Sequence, residues 1–278
     1  MALENSGTMS IGGSTAGRSI NLELSKSATA TSGLGDADFR TLADVASGAI
    51  SMSDFYGASS YPFSDNLFLA LPFTSNLNDV SNSINSNSTT KTATSSSVDI
   101  SSTQSKFGSN SAKWNASSDS LKYAEQGNEL VFGTGDFCIE TWLYDDGSHN
   151  GTGGRCYIFD NRTGGSVVGD PPTMVGHCDG HNEFTFYDGD SEITYSVSTT
   201  GSWIHYAVSR EGTTTRMFID GTLRGSSTSS TNFTNNGISV GRATDNNYGW
   251  AGYMQDFRVY KGVAKYTSNF TPVGTNPY

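Results

Sequence analysis

From Trp203 to Leu223 the side chains alternate between apolar and polar. Ile204, Tyr206 and Val208 fall on one face of an extended chain and His205, Ala207 and Ser209 on the other, and Met217 and Ile219 repeat the pattern against Arg216, Phe218 and Asp220. A period of two marks half-buried β-strands. Asp220-Gly221 then closes a hairpin, because both central residues of a type I′ turn need positive φ, which glycine adopts freely and aspartate tolerates. Similar patterns predict strands over 111–114, 136–144, 157–160, 182–187, 192–197, 237–240 and 252–260, with one helical turn over 266–270 before Thr271-Pro272.

The first part of the chain reads differently. Residues 17–24 read as a strand carrying Ile20, Leu22 and Leu24 on one face. Asp36 is placed to cap a short helix running through Val45, with Phe39, Leu42 and Val45 on one stripe. Ser51 or Ser53 opens a second turn carrying Met52, Phe55 and Tyr56, ended by Gly57. Residues 1–57 thus form a small α+β module, 58–62 a linker in which Tyr61-Pro62 disfavours helix, and 63–278 a mainly β domain. The apolar set Phe39, Leu42, Val45, Ile50, Phe55 and Tyr56 exceeds what so small a unit is expected to bury by itself, which predicts docking onto a partner. Residues 76–97 read as a polar, low-complexity surface loop.

Composition agrees with a strand-rich fold and excludes several partners. The chain has 278 residues, with 32 glycines and 15% charged residues, which suits many short strands joined by turns. A net charge of −11 argues against broad binding to nucleic acid or to anionic membranes, which need basic patches. No apolar stretch approaches the roughly 18 residues that span a bilayer, and the start MALENSGTMS lacks the basic head and apolar run of a signal peptide. Three cysteines cannot all pair within one chain, which fits synthesis in a reducing cytoplasm. Cys138 reads as a small buried hydrophobe; Cys156 and Cys178 flank loops and could meet, with a disulfide the less favoured reading.

Several of these segments also carry a resemblance. The 203–223 hairpin, GYMQDFRVYKGVAKYTSNFTP from Gly252, SKFGSNSAKW from Ser105, GDFCIETWLY from Gly135 and LFLALPF from Leu67 together resemble the concanavalin A-like, laminin-G-like jelly-roll sandwiches, over Tyr61 to Tyr278. That fold hosts lectins, glycosidases, adhesion modules and structural proteins. GRSINLEL from Gly17 and DADFRTLADVASGAISMSDFYG from Asp36, above all Ser47 to Gly57, resemble the short amino-terminal modules of phage virion proteins.

The candidate chemistry narrows the function. Glycosidases on this sandwich carry a Glu-x-Asp-x-x-Glu strand, which is absent here; Glu140 stands between Ile139 and Thr141 and reads as a structural hydrogen-bonding residue. His177-Cys178-Asp179-Gly180-His181 offers zinc-type ligands but reads as a polar loop turning at Asp179-Gly180, and His205 as a packed histidine. Asp256 resembles a position that supports the last strand or a structural ion in relatives, so calcium is the candidate ion, against a salt bridge with Arg258. Sugar binding needs aromatic platforms and Asp/Asn hydrogen-bonding groups. Asp245, Asn246, Asn247, Tyr248 and Trp250 combine both, although Trp250 reads equally as packing under the final strand; Asp160, Asn161 and Arg162 with His177, Asp179, His181 and Asn182 form a second such set.

The expectation is therefore a non-enzymatic phage virion protein, made in the host cytoplasm and exposed on the particle as tail fibre or capsid decoration. Its first module would dock onto other virion proteins, and its jelly roll would bind host-surface glycans, with homo-oligomers compatible with both. A purely structural head or tail component and a glycoside hydrolase are the competing classes.

Overall fold

The computed structural model describes residues 3–4, 6–15, 18–24, 26–43, 47–55, 63–115, 119–124, 127–148, 155–162, 175–179, 182–244 and 248–272. The chain divides into two compact units, Met1–Ser64 and Asp65–Tyr278.

The first unit holds α1 (Ile20–Glu23), α2 (Ala37–Leu42) and a 3-10 turn at Met52–Phe55. The strand expected over 17–24 is instead the helix α1: the Ser19 hydroxyl accepts the Leu22 N–H, and Ile20 and Glu23, three apart, are buried. An alternation of only three apolar residues does not separate strand from helix, and the cap decided the outcome. The helix begins after Asp36 as expected and ends at Leu42 rather than Val45.

Most of the side chains expected to dock are packed within the unit itself. Phe39 and Phe55 are fully buried against each other, edge to face at 5.8 Å, in a cluster with Leu3, Ile20, Leu42 and Ala43. Ile50 packs against that cluster, so four of the six proposed docking side chains serve the unit's own core. Val45 and Tyr56 lie outside the described residues.

The second unit is built from β1 (Leu67–Leu71), β2 (Thr92–Ser96), β3 (Asp99–Ser101), β4 (Ser111–Trp114), β5 (Ser120–Ala124), β6 (Phe137–Asp145), β7 (Arg155–Asp160), β8 (Val175–Asp179), β9 (Glu183–Tyr187), β10 (Glu192–Ser196), β11 (Trp203–Glu211), β12 (Thr214–Ile219), β13 (Thr222–Thr228), β14 (Ile238–Val240) and β15 (Gly252–Lys261). They form two antiparallel sheets. One runs β13-β12-β11-β6-β15-β4-β3, with β1 also on β15; the other runs β10-β9-β8-β7-β14-β5-β2. Between them lies one core, to which the first sheet contributes Ile139, Leu143, Val208, Met217 and Val259, and the second Leu121, Ile158, Phe186 and Val240. The polar alternates therefore face outward from each sheet.

β15 has two partners on one flank. Gly252–Met254 pair with β4 and Phe257–Tyr260 with β1, and the change occurs at a bulge where Asp256 adopts φ 60°. Asp220 (φ 51°) and Gly221 (φ 71°) make the turn between β12 and β13 as the sequence predicts, and the Asp220 carboxylate accepts the His205 N–H at 2.8 Å.

Three sequence expectations give way here. Residues 76–97 are not a loose surface loop, since they contain α3 (Ser81–Ile84) and β2 and bury Asp79, Ser81, Asn85, Ser88 and Lys91. The Asp79 carboxylate accepts N–H groups of Ala70, Ser81 and Lys91, and the Lys91 ammonium donates to Ser88, Thr89 and Glu129, so polar residues become interior ones by satisfying each other. Residues 266–270 form no helical turn but a bent strap in which the Tyr266 and Phe270 rings stack, with the Phe270 N–H donating to the Gly221 carbonyl at 2.9 Å.

The third is the cysteine pairing. Cys156 and Cys178 do not flank loops; they stand directly opposite on β7 and β8, joined by a disulfide with Cα atoms 5.1 Å apart, while Cys138 is a free buried thiol as expected. Two of three cysteines pairing leaves one thiol. Thiol titration in denaturant should accordingly give one thiol per chain without reductant and three with it, and reduction should remove about 2–4 kcal/mol of stability. Three thiols without reductant would mean that the bridge does not form.

Candidate functional site

Glu140, the carboxylate within the GDFCIETWLY strand, sits on the outer face of β6 under the 265–270 strap and is 2% exposed. Lys265 Nζ, Tyr266 OH at 2.8 Å, His205 Nε2 at 3.4 Å and Arg258 Nη1 at 3.5 Å converge on its two oxygens. Burial alone would raise its pKa, but the Lys265, His205 and Arg258 partners outweigh that and hold it well below the usual carboxylate range. A carboxyl kept ionised cannot donate a proton as a general acid. The arrangement binds the strap to the sheet, and the His205 ring packs edge-on against Trp142 and Phe270, as read from the sequence.

Asp256 also has an internal partner. Both its oxygens engage the guanidinium of Arg258, Oδ1 with Nε at 2.6 Å, and the residue is 4% exposed. An ion there would have to displace that guanidinium. Among the described residues no three His, Cys, Asp or Glu side chains converge as a metal site.

The opposite outer face, that of the seven-stranded sheet, carries an open cleft. It holds 210 Å³ and is lined by Lys122 and Tyr123 of β5, Arg162 beyond β7, Ser239 and its neighbours from Asn236, and Thr244. Asp160, fully buried at the end of β7, organises one wall: Oδ1 accepts from the Arg162 N–H and Nε, and Oδ2 from Arg162 Nη2, the Thr244 N–H and the Thr244 hydroxyl. Tyr157, next along, stacks on Tyr248 with ring centres 5.8 Å apart and planes 24° from parallel, while the Arg162 guanidinium lies 5.3 Å from the Tyr157 ring centre. Ile238 and Val240 point into the core, which turns Ser239 outward, and the Ser239 hydroxyl is buried without a hydrogen-bond partner. Asn161 anchors the neighbouring segment by donating to the Gly237 carbonyl at 2.8 Å.

Of the two sugar-binding sets read from the sequence, Asp160 of one accepts from Thr244, the residue before the other set's Asp245, and Tyr248 of the other stacks on Tyr157, over which Arg162 also lies. Tyr248 is half-buried. Trp250 is not a platform: it is 1% exposed and belongs to the core. Asp245, Asn246, Asn247 and His181 lie outside the described residues. His177 and Asp179 belong to β8, paired with β7 and β9, instead of forming a loop, and the disulfide removes Cys178 from any metal set. Asn182 sits exposed in the turn after β8 and does not line the cleft. Lys122 and Ser239 were missed; the alternation of Leu121 and Tyr123 with Lys122 was the available signal for the first.

Comparison with known proteins follows the same outline. A laminin G family model, described as the concanavalin A-like lectin/glucanases superfamily, matches residues 115–265. Similar solved structures include the binding domain of botulinum neurotoxin serotype D (13% identity, TM-score 0.54, 72% of this chain and 49% of that one) and that of Paraclostridial Mosquitocidal Protein 1 (14%, 0.53, 72% and 50%). Domain 4 of AbnA, a GH43 extracellular arabinanase from Geobacillus stearothermophilus solved with arabinotriose, matches at 16% identity and TM-score 0.50 over 72% of this chain and 94% of that one. The chain spans about half the length of the two toxin domains, and at these identities the likeness is one of fold. No curated protein matches by sequence. With the family model covering more than half of its residues, the chain belongs to the concanavalin A-like lectin/glucanases superfamily.

Proposed function

We propose that this chain is a non-enzymatic attachment protein exposed on a phage particle, and that the cleft on the seven-stranded sheet holds a sugar of the host surface. The observation that carries the reading is the cleft itself, with hydroxyl, amide and cationic groups from β5, β14 and the loops after β7 and flanking β14; the half-buried ring of Tyr248, stacked on the fully buried Tyr157, lies next to it through Arg162. Aromatic faces stack on the apolar faces of sugars while polar neighbours bond the hydroxyls. A volume of 210 Å³ is below the roughly 300–1,000 Å³ of drug-sized sites, which suits one sugar ring at a time. Many copies on a particle would make such weak contacts effective, since avidity raises apparent affinity by about 10² to 10⁴.

The resemblance of residues 17–24 and 36–57 to virion modules supports the particle setting, and AbnA domain 4, solved with arabinotriose, supports a sugar as ligand. The sealed environment of Glu140 supports a binding role over hydrolysis. Tyr248→Ala should weaken adsorption to host cells and to its glycan on an array by about five- to tenfold per site, at an unchanged melting temperature. Full adsorption by a folded Tyr248→Ala protein would favour the purely structural alternative, and release of reducing ends would favour the hydrolase. Labelling of intact particles under the electron microscope tests the virion setting.

A further inference from the structure

The connection from β1 to β2 brings an amine, a carboxyl group and a base together out of water. The side chains of Lys91 and Asp79 are fully buried with Nζ 3.7 Å from Oδ2, and Nζ also donates to Glu129 Oε2 at 2.6 Å. Two backbone N–H groups, those of Ala70 and Ser81, converge on Asp79 Oδ1 at 3.0 and 2.9 Å. Paired donors on one carboxyl oxygen are what stabilises the oxyanion when the carboxyl carbon is attacked. On the other side, Oδ2 accepts from the Ser81 hydroxyl at 2.9 Å; that hydroxyl lies 2.8 Å from the Ser88 hydroxyl, which reaches Glu129 Oε2 at 3.4 Å. A chain of hydroxyls thus links Glu129 to Oδ2. Burial opposes the charge on Glu129, but its bonds from Lys91 and Thr89 outweigh that and hold it below the usual carboxylate range, so it carries no proton at neutral pH.

We propose that Lys91 and Asp79 join in an intramolecular amide, with Glu129 as the base. Nζ passes a proton to Glu129, and the freed lone pair attacks Cγ of Asp79 to form the N–C bond. Oδ1 takes the developing charge under the Ala70 and Ser81 N–H groups. The bond from Cγ to Oδ2 then breaks. Of the three ammonium protons, one stays on the amide nitrogen and two travel through Glu129 and the Ser88 and Ser81 hydroxyls to Oδ2, which leaves as water. One positive and one negative charge disappear together, Glu129 ends as it began, and nothing is oxidised or reduced. Burial favours the product, because an ion pair held out of water carries a desolvation penalty that a neutral amide escapes. Confinement of the two groups in one fold supplies the proximity that the reaction lacks in solution. The link closes a covalent loop around α3 and fastens the polar segment between β1 and β2.

Peptide mapping of the reduced and alkylated full chain tests this, because trypsin has no site between Arg40 and Lys91 and the next lies at Lys106. The expected result is a single peptide, 41–106, uncut at Lys91, lighter than its sequence by one water and giving no backbone fragments from within 79–91. Mild alkali distinguishes the amide, which survives it, from an aspartate cyclised onto its own backbone, which has also lost water but is hydrolysed. Peptides 41–91 and 92–106 at their sequence masses overturn the proposal, and so does a water loss that alkali reverses. Glu129→Gln, with its fold confirmed by melting, should yield the two separate peptides. A folded Glu129→Gln chain linked as fully as the parent overturns the assignment of Glu129 as the base.

Discussion

Gly221→Val should melt about 10 °C below the parent, with a loss of about 3 kcal/mol or more. Two costs combine. The residue sits at φ 71°, where a β-branched side chain is strained, and a Cβ there would meet the Phe270 carbonyl oxygen and the Pro272 ring. The strap therefore cannot stay where its Phe270 N–H now donates to the Gly221 carbonyl. Gly221→Ala, which relieves the branching and keeps the collision, should recover only part of the loss. A valine variant melting at the parental temperature would show that the turn and the strap are not arranged in this way.

Glu140→Gln should cost about 3–5 kcal/mol at pH 7, because it removes the charge on which Lys265, Arg258 and His205 converge while leaving them buried. The penalty should also depend on pH. Glu140 titrates well below its ordinary value when folded, so its stabilisation is complete above the unfolded pKa of about 4.3 and is lost as pH falls toward the folded value. Urea midpoints at pH 7, 5 and 3 should show parent and variant converging at the acid end. A gap that stays constant with pH would mean that the ionised carboxylate is not what the cluster depends on.

Strands with strict alternation over six or more residues, such as β11 and β12, were legible because a period of two over that length has few alternatives. The failures share a cause: local composition does not reveal which polar groups will find each other. Asp79 and Lys91 look like surface residues until a backbone 12 residues away supplies their bonds. α1 turned on the single hydroxyl of Ser19, and the disulfide on a register placing Cys156 opposite Cys178 across 22 residues of chain. For the cleft, the segments beside it were visible as clusters of aromatic and amide residues. That Asp160 fastens one to the other, and that Lys122 and Ser239 complete the cleft, depends on strand order, which pairs β14 with both β5 and β7.

That β15 is shared between β4 and β1 bears on how the domain is made. Asn66, at the start of the sandwich, donates to the Lys261 carbonyl 195 residues later, and β6 has β15 as one of its two neighbours. Contacts this distant in sequence close slowly, since the loop entropy falls due before the pairing rewards it. During synthesis, β1 and one side of β6 stay unpaired until the ribosome has released the final strand, and both are rich in apolar residues. Such edges attract other chains. A chain stopped short of Gly252 would thus yield aggregate in place of a smaller soluble domain, and correct assembly depends on the last strand arriving before a neighbouring molecule does.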